Sequence, residues 1–368
     1  MEVYAIRTLR SQPLRLAMTV GGVALCVILM LFLISVYKGV ADGSVEYVRH
    51  NHTDLWVLQC NATNILRGSS FVTASQEKSI RELPDVKSVS PVLLVLASVQ
   101  KDGKEKTVFL TGYDITKGSG GPPQLALGRH VQRDDEIVLD RSFAAKFGFD
   151  IGDVLHIQEH RMKVVGISRG TNAFVIQYAF ATLRFTRKLV GFPGIATCLM
   201  VETNNRESLG KIAQQIKEKV RGVEAYTHEA FLKNNIREME SGFLPLLYTV
   251  AAIGGVVLTV ILSLLLSVNI LERRKDFSVL KTLGATGLFL KKMIIEQALL
   301  ISSGASLTAL FLFFPLVHVI GILSPEVSVK ATIVHIIGVI FVVQVMSFFS
   351  ALISIQKLRQ IYILEVFR

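Results

Sequence analysis

The sequence predicts a mainly α-helical membrane protein with four transmembrane helices and one large external α+β domain. Of the 368 residues, 51% are hydrophobic and only 19% are charged, whereas an ordinary soluble domain carries about 25% charged residues. Residues 38–242 nevertheless contain 27 Lys and Arg and 23 Asp and Glu, a density typical of a water-soluble domain. The excess of apolar residues must therefore lie outside this stretch.

Four apolar blocks account for that excess. A helix needs about 20 apolar residues to cross about 30 Å of hydrocarbon. Residues 16–36 and 243–271 carry no charge, and the other two blocks are residues 293–320 and 332–356. A secretory signal peptide is the competing interpretation of the first block, but its 21 residues exceed a usual signal h-region and no small-residue cleavage site follows. We therefore predict four membrane spans.

The basic residues predict the orientation of these spans. Three short segments together hold twelve Lys and Arg against four Asp and Glu, and short basic segments stay on the cytoplasmic side. The net charge of +11 then reflects topology and anionic lipid headgroups rather than nucleic acid binding. The predicted order is a cytoplasmic interfacial helix (1–15), the first span (16–36), the external domain (37–242), the second span (243–271), a cytoplasmic loop (272–292), the third span (293–320), an outer turn (321–331), the fourth span (332–356) and a cytoplasmic tail (357–368).

The external domain is predicted to contain two strand–helix–strand units that lie far apart in the sequence. Helix, short break and Val-rich strand occur in the same order in residues 37–117 and 197–242. This repetition predicts a porter-like split βαβ layer assembled from both segments. The predicted strands are 54–59, 86–100, 197–202 and 223–226, and the predicted helices are 75–83 and 206–220.

A small β insert is predicted between these units, over residues 118–196. It begins with the glycine-rich stretch 118–123, which we interpret as a linker rather than a phosphate-binding loop. Its predicted strands are 136–140, 154–158 and 163–168, and its predicted helix is 142–147.

Catalytic motifs are missing from the sequence. Gly103-Lys104 is followed by Glu105 and Gly210-Lys211 by Ile212, so the chain has no Walker A motif, and it has no HExxH, CxxC or GxSxG motif either. We therefore predict a non-catalytic subunit with no cofactor and no metal of its own.

Two side-chain pairs leave alternatives open. His50 and His52 form a weak metal-binding pair, and a solvated loop is the simpler interpretation. Cys60 and Cys198 both belong to the predicted external domain, where they either form a disulfide or stay as two buried thiols.

The cytoplasmic loop carries the sharpest local pattern. Charged residues 272–276 precede apolar residues at helical spacing, and a glycine suited to a helix C-cap follows. A short amphipathic helix fits this pattern, either lying on the lipid surface or docking on a cytoplasmic partner.

Three stretches resemble MacB/FtsX-type (type VII) ABC transporter permeases. They are ERRKDFSVLKTLGATGLFLKKMIIEQALLISSGASL in the loop and third span, YAIRTLRSQPLRLAMTVGGVALCVILM at the amino end, and EIVLDRSFAAKFGFDIGDVLHIQEHRMKVVGI in the insert. Because neither an ATPase nor ten spans are present in the sequence, the similar members are the unfused four-helix subunits: DevC-like glycolipid exporters, lipoprotein-releasing permeases and haem-efflux permeases.

The resemblance implies a homodimer in the bacterial cytoplasmic (inner) membrane, a separate cytoplasmic ATPase that binds ATP and Mg, and in some members a periplasmic adaptor. ATP-driven closure of the ATPase would move the long helices and the external domain, a mechanism called mechanotransmission. The residues implied to dock on the ATPase are Arg273, Arg274, Phe277, Leu280, Leu283, Gly284 and Ala285.

Polar and small residues within the spans yield further predictions. Because an acid inside a membrane is costly, Glu296 is interpreted as a structural anchor paired with Arg273, Arg274 or Lys292, rather than as a proton relay. A small-xxx-small pattern predicts close helix approach, either across a dimer seam or within the chain. The residues of this predicted seam are Gly21, Gly22, Ala251 and Gly255.

Substrate contacts are implied where the outer ends of the first two spans meet. The candidate lining residues for an amphiphile are Tyr37, Glu46, Tyr47, Met239, Phe243 and Tyr248. Haem is one candidate substrate, with Met or Tyr as axial ligands, and an aromatic interfacial belt explains the tyrosines more simply. Two functions follow: export or extraction of a hydrophobic compound, or FtsX-like control of an external cell-wall hydrolase without transport.

Overall fold

The computed structural model describes residues 13–65, 70–101, 103–173, 176–272, 279, 282, 285–324 and 329–358. It divides into two units, which we call the membrane unit (Met1–Lys38, Pro245–Val319 and Val329–Arg368) and the external unit (Gly39–Leu244 and Ile320–Ser328). The α-helices are α1 (Pro13–His50), α2 (Ala74–Arg81), α3 (Arg141–Phe147), α4 (Leu183–Val190), α5 (Leu209–Lys219), α6 (His228–Glu272), α7 (Gly287–Leu323) and α8 (Ile333–Leu358).

The strands, given in chain order, are β1 (Leu55–Gln59), β2 (Val72–Thr73), β3 (Val86–Lys101), β4 (Lys104–Tyr113), β5 (Gln124–Gly128), β6 (Glu136–Asp140), β7 (Val154–Ile157), β8 (His160–Arg169), β9 (Tyr178–Thr182), β10 (Ile195–Ala196), β11 (Cys198–Thr203) and β12 (Val223–Thr227).

Within the described residues, four helices are long and apolar enough to cross a membrane, as the sequence predicts. Their apolar segments are Leu16–Gly43, Leu244–Glu272, Gly287–Leu323 and Ile333–Gln356. Buried aliphatic residues and alanines from all four helices form one core, which includes Val27, Leu262, Ala305 and Val343. Large apolar side chains such as Phe311 and Phe341 stay exposed, which suits helices surrounded by lipid.

Two of these helices are much longer than predicted. α1 continues 14 residues beyond the predicted end at residue 36, because Val40, Val45 and Val48 bury one of its faces in the external unit. α6 begins at His228 rather than at residue 243, with the Thr227 hydroxyl accepting a hydrogen bond from the Ala230 amide at 3.3 Å. Both extensions contain charged residues, so they fall outside the uninterrupted apolar blocks that predict the spans.

The predicted split βαβ layer is confirmed. The sheet order begins β12-β1-β11-β3, and β1 pairs antiparallel with both β11 and β12, while β11 pairs antiparallel with β3. β1 and β3 therefore run parallel with β11 between them, which is the split arrangement. α2 and α5 cover one face, with Ile80, Ile212 and Ile216 in the shared core.

The insert does not form a separate layer, because its strands β9, β6, β8 and β5 continue the same sheet, in that order, beyond β3 and β4. β4 and β9 join the two parts through a parallel pairing from Phe109 to Tyr113. The predicted strand 136–140 matches β6, and the predicted helix 142–147 matches α3 within one residue. The sequence patterns do not predict β2, β4, β5, β9, β10 or α4.

Candidate functional site

The cytoplasmic loop predicted to dock on an ATPase lies largely outside the described residues. This holds for Arg273, Arg274, Phe277, Leu280, Leu283 and Gly284, whereas Ala285 precedes the start of α7 at Gly287. Val279 and Thr282 are helical, and the Thr282 hydroxyl donates to the Val279 carbonyl at 2.8 Å. The docking role of the loop stays a prediction.

Glu296 lies near the start of the third span, where its carboxylate is paired. Its Oε1 is 3.9 Å from the Lys292 Nζ, one helical turn earlier. Of the three predicted partners, the described part of the chain therefore shows Lys292. The Glu296 Oε2 is buried and has no hydrogen-bond partner among the described residues.

The predicted seam residues differ in what surrounds them. Gly255 faces the side chains of Met346 and Met30, so α6 packs there on α8 and α1 of the same chain. Ala251 is half-buried. A Cβ added at Gly21 or Gly22 would meet no described atom within 4 Å. Gly255 therefore serves intrachain packing, and a dimer contact at Gly21 and Gly22 stays a prediction.

A row of serines in α8, which the sequence analysis missed, binds the neighbouring helices. The hydroxyl of Ser347 donates to the Ala298 carbonyl of α7 at 2.8 Å. Ser350 and Ser354 donate to the carbonyls of Thr259 and Ser263 in α6, at 2.9 and 3.0 Å. The three serines recur with spacings of three and four residues and are fully buried. Such spacing of small polar residues is the signal that predicts interhelical hydrogen bonds.

Tyr47 is a core residue of the external unit and does not line an opening. Its hydroxyl donates to the Gly120 carbonyl at 2.7 Å, and its ring stacks on Tyr178 with centroids 4.8 Å apart. Burial raises the pKa of Tyr47 well above its usual value. The prediction for this residue is wrong because α1 stays helical through His50, which places Tyr47 on the face that packs into the core.

The other candidate lining residues are distributed over both units. The Glu46 carboxylate lies beside Gly170, since a Cβ added there would be 3.4 Å from Oε1. Tyr37 is half-buried in α1, and Tyr248 in α6 is 66% exposed. The side chains of Met239 and Phe243 lie outside the described residues.

The structure describes both side-chain pairs that the sequence leaves open. His50 Nδ1 is 2.8 Å from the Glu46 carbonyl oxygen, and His52 is exposed. Cys60 and Cys198 are both free thiols, Cys60 exposed and Cys198 buried. The described residues contain no cluster of three or more His, Cys, Asp or Glu suited to a metal ion.

Both long helices join the sheet at one edge. Four residues separate α1 from β1, and none separates β12 from α6. β1 and β12 are paired, with Leu55 opposite Thr227. The Trp56 indole nitrogen donates to the His228 Nδ1 at 3.4 Å, and the Trp56 ring stacks on Phe231 at 4.9 Å. The helix ends are thereby tied directly to two neighbouring strands.

Charged groups reinforce this edge. Asp54, just before β1, accepts a hydrogen bond from the Thr203 amide at 2.8 Å and pairs with Arg206 at 3.1 Å. Burial, with a smaller contribution from His52, lowers the pKa of His228. Because the Trp56 indole N–H can only donate, the His228 Nδ1 is the acceptor in their hydrogen bond.

Comparisons with known proteins agree with these observations. The model of the MacB-like periplasmic core domain matches residues 16–219, and that of the FtsX-like permease C-terminal domain matches residues 248–363. An uncharacterised ABC transporter permease of Methanocaldococcus jannaschii is 24% identical over 315 residues, which cover 77% of this chain and 74% of that protein. One from Mycobacterium tuberculosis is 23% identical over 317 residues, which cover 84% of each chain.

Among solved structures, the periplasmic region of MacB from Actinobacillus actinomycetemcomitans covers 50% of this chain and 94% of its own, with a TM-score of 0.39 and 12% identity. The MacB-like core model alone spans more than half of the chain. With four membrane helices and an external domain, the chain therefore belongs to the MacB/FtsX-type family of ABC transporter permeases.

Proposed function

We propose that this chain is the permease subunit of an ATP-driven efflux or extraction system for a hydrophobic or amphiphilic substrate. As an ABC transporter permease it works with an ATPase partner, which supplies the ATP and Mg chemistry. We place the chain in the inner membrane as a homodimer, with both termini and the loop 272–292 in the cytoplasm, because the basic residues of the short segments favour that orientation.

The observation that supports mechanotransmission is the junction between the long helices and the sheet. α1 and α6 each contain an apolar span. α1 ends four residues before β1, and α6 begins directly after β12, so neither helix is joined to this edge by a long linker. Rigid secondary structure carries a displacement further than a flexible loop does. Movement of the helices by the ATPase would thus reach the external sheet, and no substrate need pass between the spans.

The proposed substrate contacts are now fewer than the sequence implied. Without Tyr47, the candidates are Tyr37, Glu46 and Tyr248, together with Met239 and Phe243. Haem as cargo then depends on a Tyr or Met axial ligand from this reduced set. Lipids, lipoproteins and drug-like compounds need only the apolar and aromatic surface, and a periplasmic adaptor is compatible with any of these cargoes.

Docking of the loop is tested with the permease and its ATPase purified together and reconstituted in liposomes. A charge in the apolar face of the loop should remove the contact, so Leu280→Asp or Leu283→Asp is expected to abolish stimulated ATPase activity while membrane insertion is retained. Thr282→Asp places the same charge on an exposed neighbour and serves as the matched control. Normal ATPase coupling in both leucine variants would overturn the docking role.

Cargo is tested by measuring which lipophilic compounds stimulate the ATPase in the same complex. Glu46→Ala and Met239→Ala should change the response to cargo, and an unchanged response in both would remove the proposed lining. Stimulation of an external cell-wall hydrolase by ATP, with no response to any amphiphile, would instead establish the FtsX-like signalling role.

A further inference from the structure

The external unit contains a cleft of about 910 Å³ that the proposed transport mechanism does not use. It lies where the parallel strands β4 and β9 end, a position at which α/β sheets commonly bind ligands. α4 forms one wall, and the segments that follow β4 and precede β6 form the others. The lining residues that matter below are Asp114, Ile115, Arg133, Asp134, Arg187 and Lys188.

Positive charge exceeds negative charge in this cleft, with four cations against two carboxylates. The Asp134 carboxylate is already engaged: it accepts from the Thr182 hydroxyl at 2.6 Å and pairs with Arg184. The Asp114 carboxylate accepts from the Thr116 amide at 3.0 Å and from the Thr116 hydroxyl at 2.6 Å. With Asp134 paired to Arg184, the cations Arg133, Arg187 and Lys188 face only the charge of Asp114, so the cleft has a net charge of +2.

Arg187 is the best-positioned of these cations. Its Nε donates to the Ile195 carbonyl at 2.9 Å, which orients the guanidinium, and within the described part of the chain no hydrogen bond from its Nη groups is observed. Burial lowers the pKa of Arg187, and Glu77 and Asp114 oppose that shift in part. The group still carries a full charge at pH 7, because an arginine guanidinium keeps its proton in proteins. A half-buried, oriented guanidinium is suited to binding an oxyanion.

A favourable interaction with the helix dipole explains only part of this charge. Arg187 and Lys188 lie in the last turn of α4, where cations stabilise the carbonyl end of a helix. Arg133 comes from a different segment, just before β6, and turns an exposed cationic side chain toward the same cleft. Convergence of cations from two segments points to a ligand.

Apolar surface adjoins the charged wall. Ile115 lines the cleft and is 40% exposed, and Phe192, between the lining residues Gly191 and Pro193, is 61% exposed. A ligand that combines an anionic group with an apolar part fits both surfaces. The cleft volume lies within the range of about 300–1,000 Å³ typical of small-molecule sites.

We propose that this cleft binds the phosphate headgroup of an anionic amphiphile, with Arg187 as the anchoring cation and Arg133 and Lys188 as supporting charges. This inference names a ligand class for the proposed permease, and it rests on the proposed function only for the choice of an amphiphile as the ligand. We choose phosphate because arginine forks bind phosphate oxygens in pairs, and the carboxylate hexanoate serves below as the competing ligand.

The test uses the full-length chain in dodecyl maltoside, a neutral detergent, without the ATPase. Isothermal titration calorimetry compares dihexanoyl phosphatidylglycerol with zwitterionic dihexanoyl phosphatidylcholine, inorganic phosphate and hexanoate. We expect the phosphatidylglycerol to bind most tightly and Arg187→Gln to weaken it about tenfold, the usual effect of losing one charge-assisted hydrogen bond. Arg187→Lys should restore part of the affinity.

Controls separate this site from general charge attraction. The double variant Lys211→Gln/Lys219→Gln removes two exposed cations from α5 and should leave binding unchanged. Arg133→Gln/Lys188→Gln removes two exposed cations from the cleft and should weaken binding even if Arg187→Gln does not fold. Equal weakening by the two double variants would overturn the proposal.

Each other ligand outcome is also decisive. Equal affinity for inorganic phosphate would overturn the amphiphile as the ligand, and equal affinity for hexanoate would overturn the phosphate headgroup. Lipid binding is measured without the ATPase, so it is independent of transport. If no cargo stimulates the ATPase activity of the complex, transport is refuted while the proposed lipid site stands. Loss of lipid binding alone, with normal cargo-stimulated ATPase activity, refutes the cleft and not the transport.

Discussion

The external unit and the membrane unit bury different kinds of side chain. Most of the largest fully buried side chains belong to the external unit, among them Trp56, Tyr178 and Phe180. The membrane core instead contains several buried alanines and serines beside its aliphatic residues. In water, burial of large apolar side chains drives folding, whereas lipid offers no such force between helices. Close approach of small residues and interhelical hydrogen bonds therefore hold the spans together.

The largest expected difference between the units concerns Trp56. Trp56→Ala removes a fully buried ring that stacks on Phe231 and should lower the free energy of unfolding of the external unit by about 3–5 kcal/mol. Leu307→Ala in α7, where the side chain is 70% exposed, should change stability by less than about 1 kcal/mol. Thermal unfolding of the full chain followed by circular dichroism measures both. Similar losses of stability in the two variants would contradict the expected difference between the units.

Within the membrane unit, two glycines should respond differently to a large side chain. Gly255→Leu overpacks the contact with Met346 and should destabilise the helix packing by about 1–3 kcal/mol. Gly22→Leu meets open space, so the chain should remain stable while the predicted dimer weakens. Light scattering of the detergent-solubilised protein measures the dimer, and an unchanged dimer would remove Gly22 from the seam.

Buried hydrogen bonds should also contribute differently to the free energy of unfolding in the two units. Tyr47→Phe leaves the buried Gly120 carbonyl without its donor and should cost about 1–3 kcal/mol. Ser350→Ala removes the bond to the Thr259 carbonyl and should cost only about 0.6 kcal/mol, the average for such bonds within membranes. Chemical unfolding in detergent compares the two variants. A larger cost for Ser350→Ala would reverse the order.

Acid should affect the external unit through Glu136. Hydrogen bonds from Arg129, opposed by desolvation and helped by the Gln132 amide, lower the pKa of Glu136 from 4.5 to about 2. The folded-state pKa is depressed, so this stabilisation is present above pH 4.5 and is lost as the pH falls toward 2.

Because Arg129 is half exposed, the effect should be about 1 kcal/mol. Glu136→Gln should reduce the loss of stability between these pH values, measured as the melting temperature against pH. An identical acid profile in the variant would show that Glu136 makes no such contribution.

Local sequence signals predicted several elements well. Asp140 caps α3 by accepting from the Ser142 amide at 2.8 Å, and Gly148 ends that helix in the left-handed conformation at φ 65°. Both residue types are recognisable without a structure. β4 and β9 were missed because their parallel pairing joins residues about 70 positions apart. β9 is buried along its whole length, so it lacks the alternation that identifies a half-exposed strand.

The candidate sites also separate into those that a local sequence pattern predicts and those that depend on contacts between distant residues. The loop residues from Arg273 to Ala285 stand out as a charged and then apolar run, and their role still depends on that pattern alone. Tyr47, by contrast, is predicted to line the substrate opening, because the sequence does not reveal its hydrogen bond to Gly120, 73 positions away. Convergence of Arg133 and Arg187 in one cleft is equally invisible in the sequence, because it depends on how β9 and β6 pair.

Hydropathy and charge along the chain were enough to predict the four spans and the external domain, since both depend on composition over tens of residues. The family resemblance rested on three particular sequence stretches. Only the tertiary structure decided which side chains are buried. It extended α1 and α6 to the edge of the sheet, buried Tyr47, turned Gly255 toward Met346 and assembled the cationic cleft. These outcomes depend on contacts between residues far apart in the sequence, and no local pattern encodes such contacts.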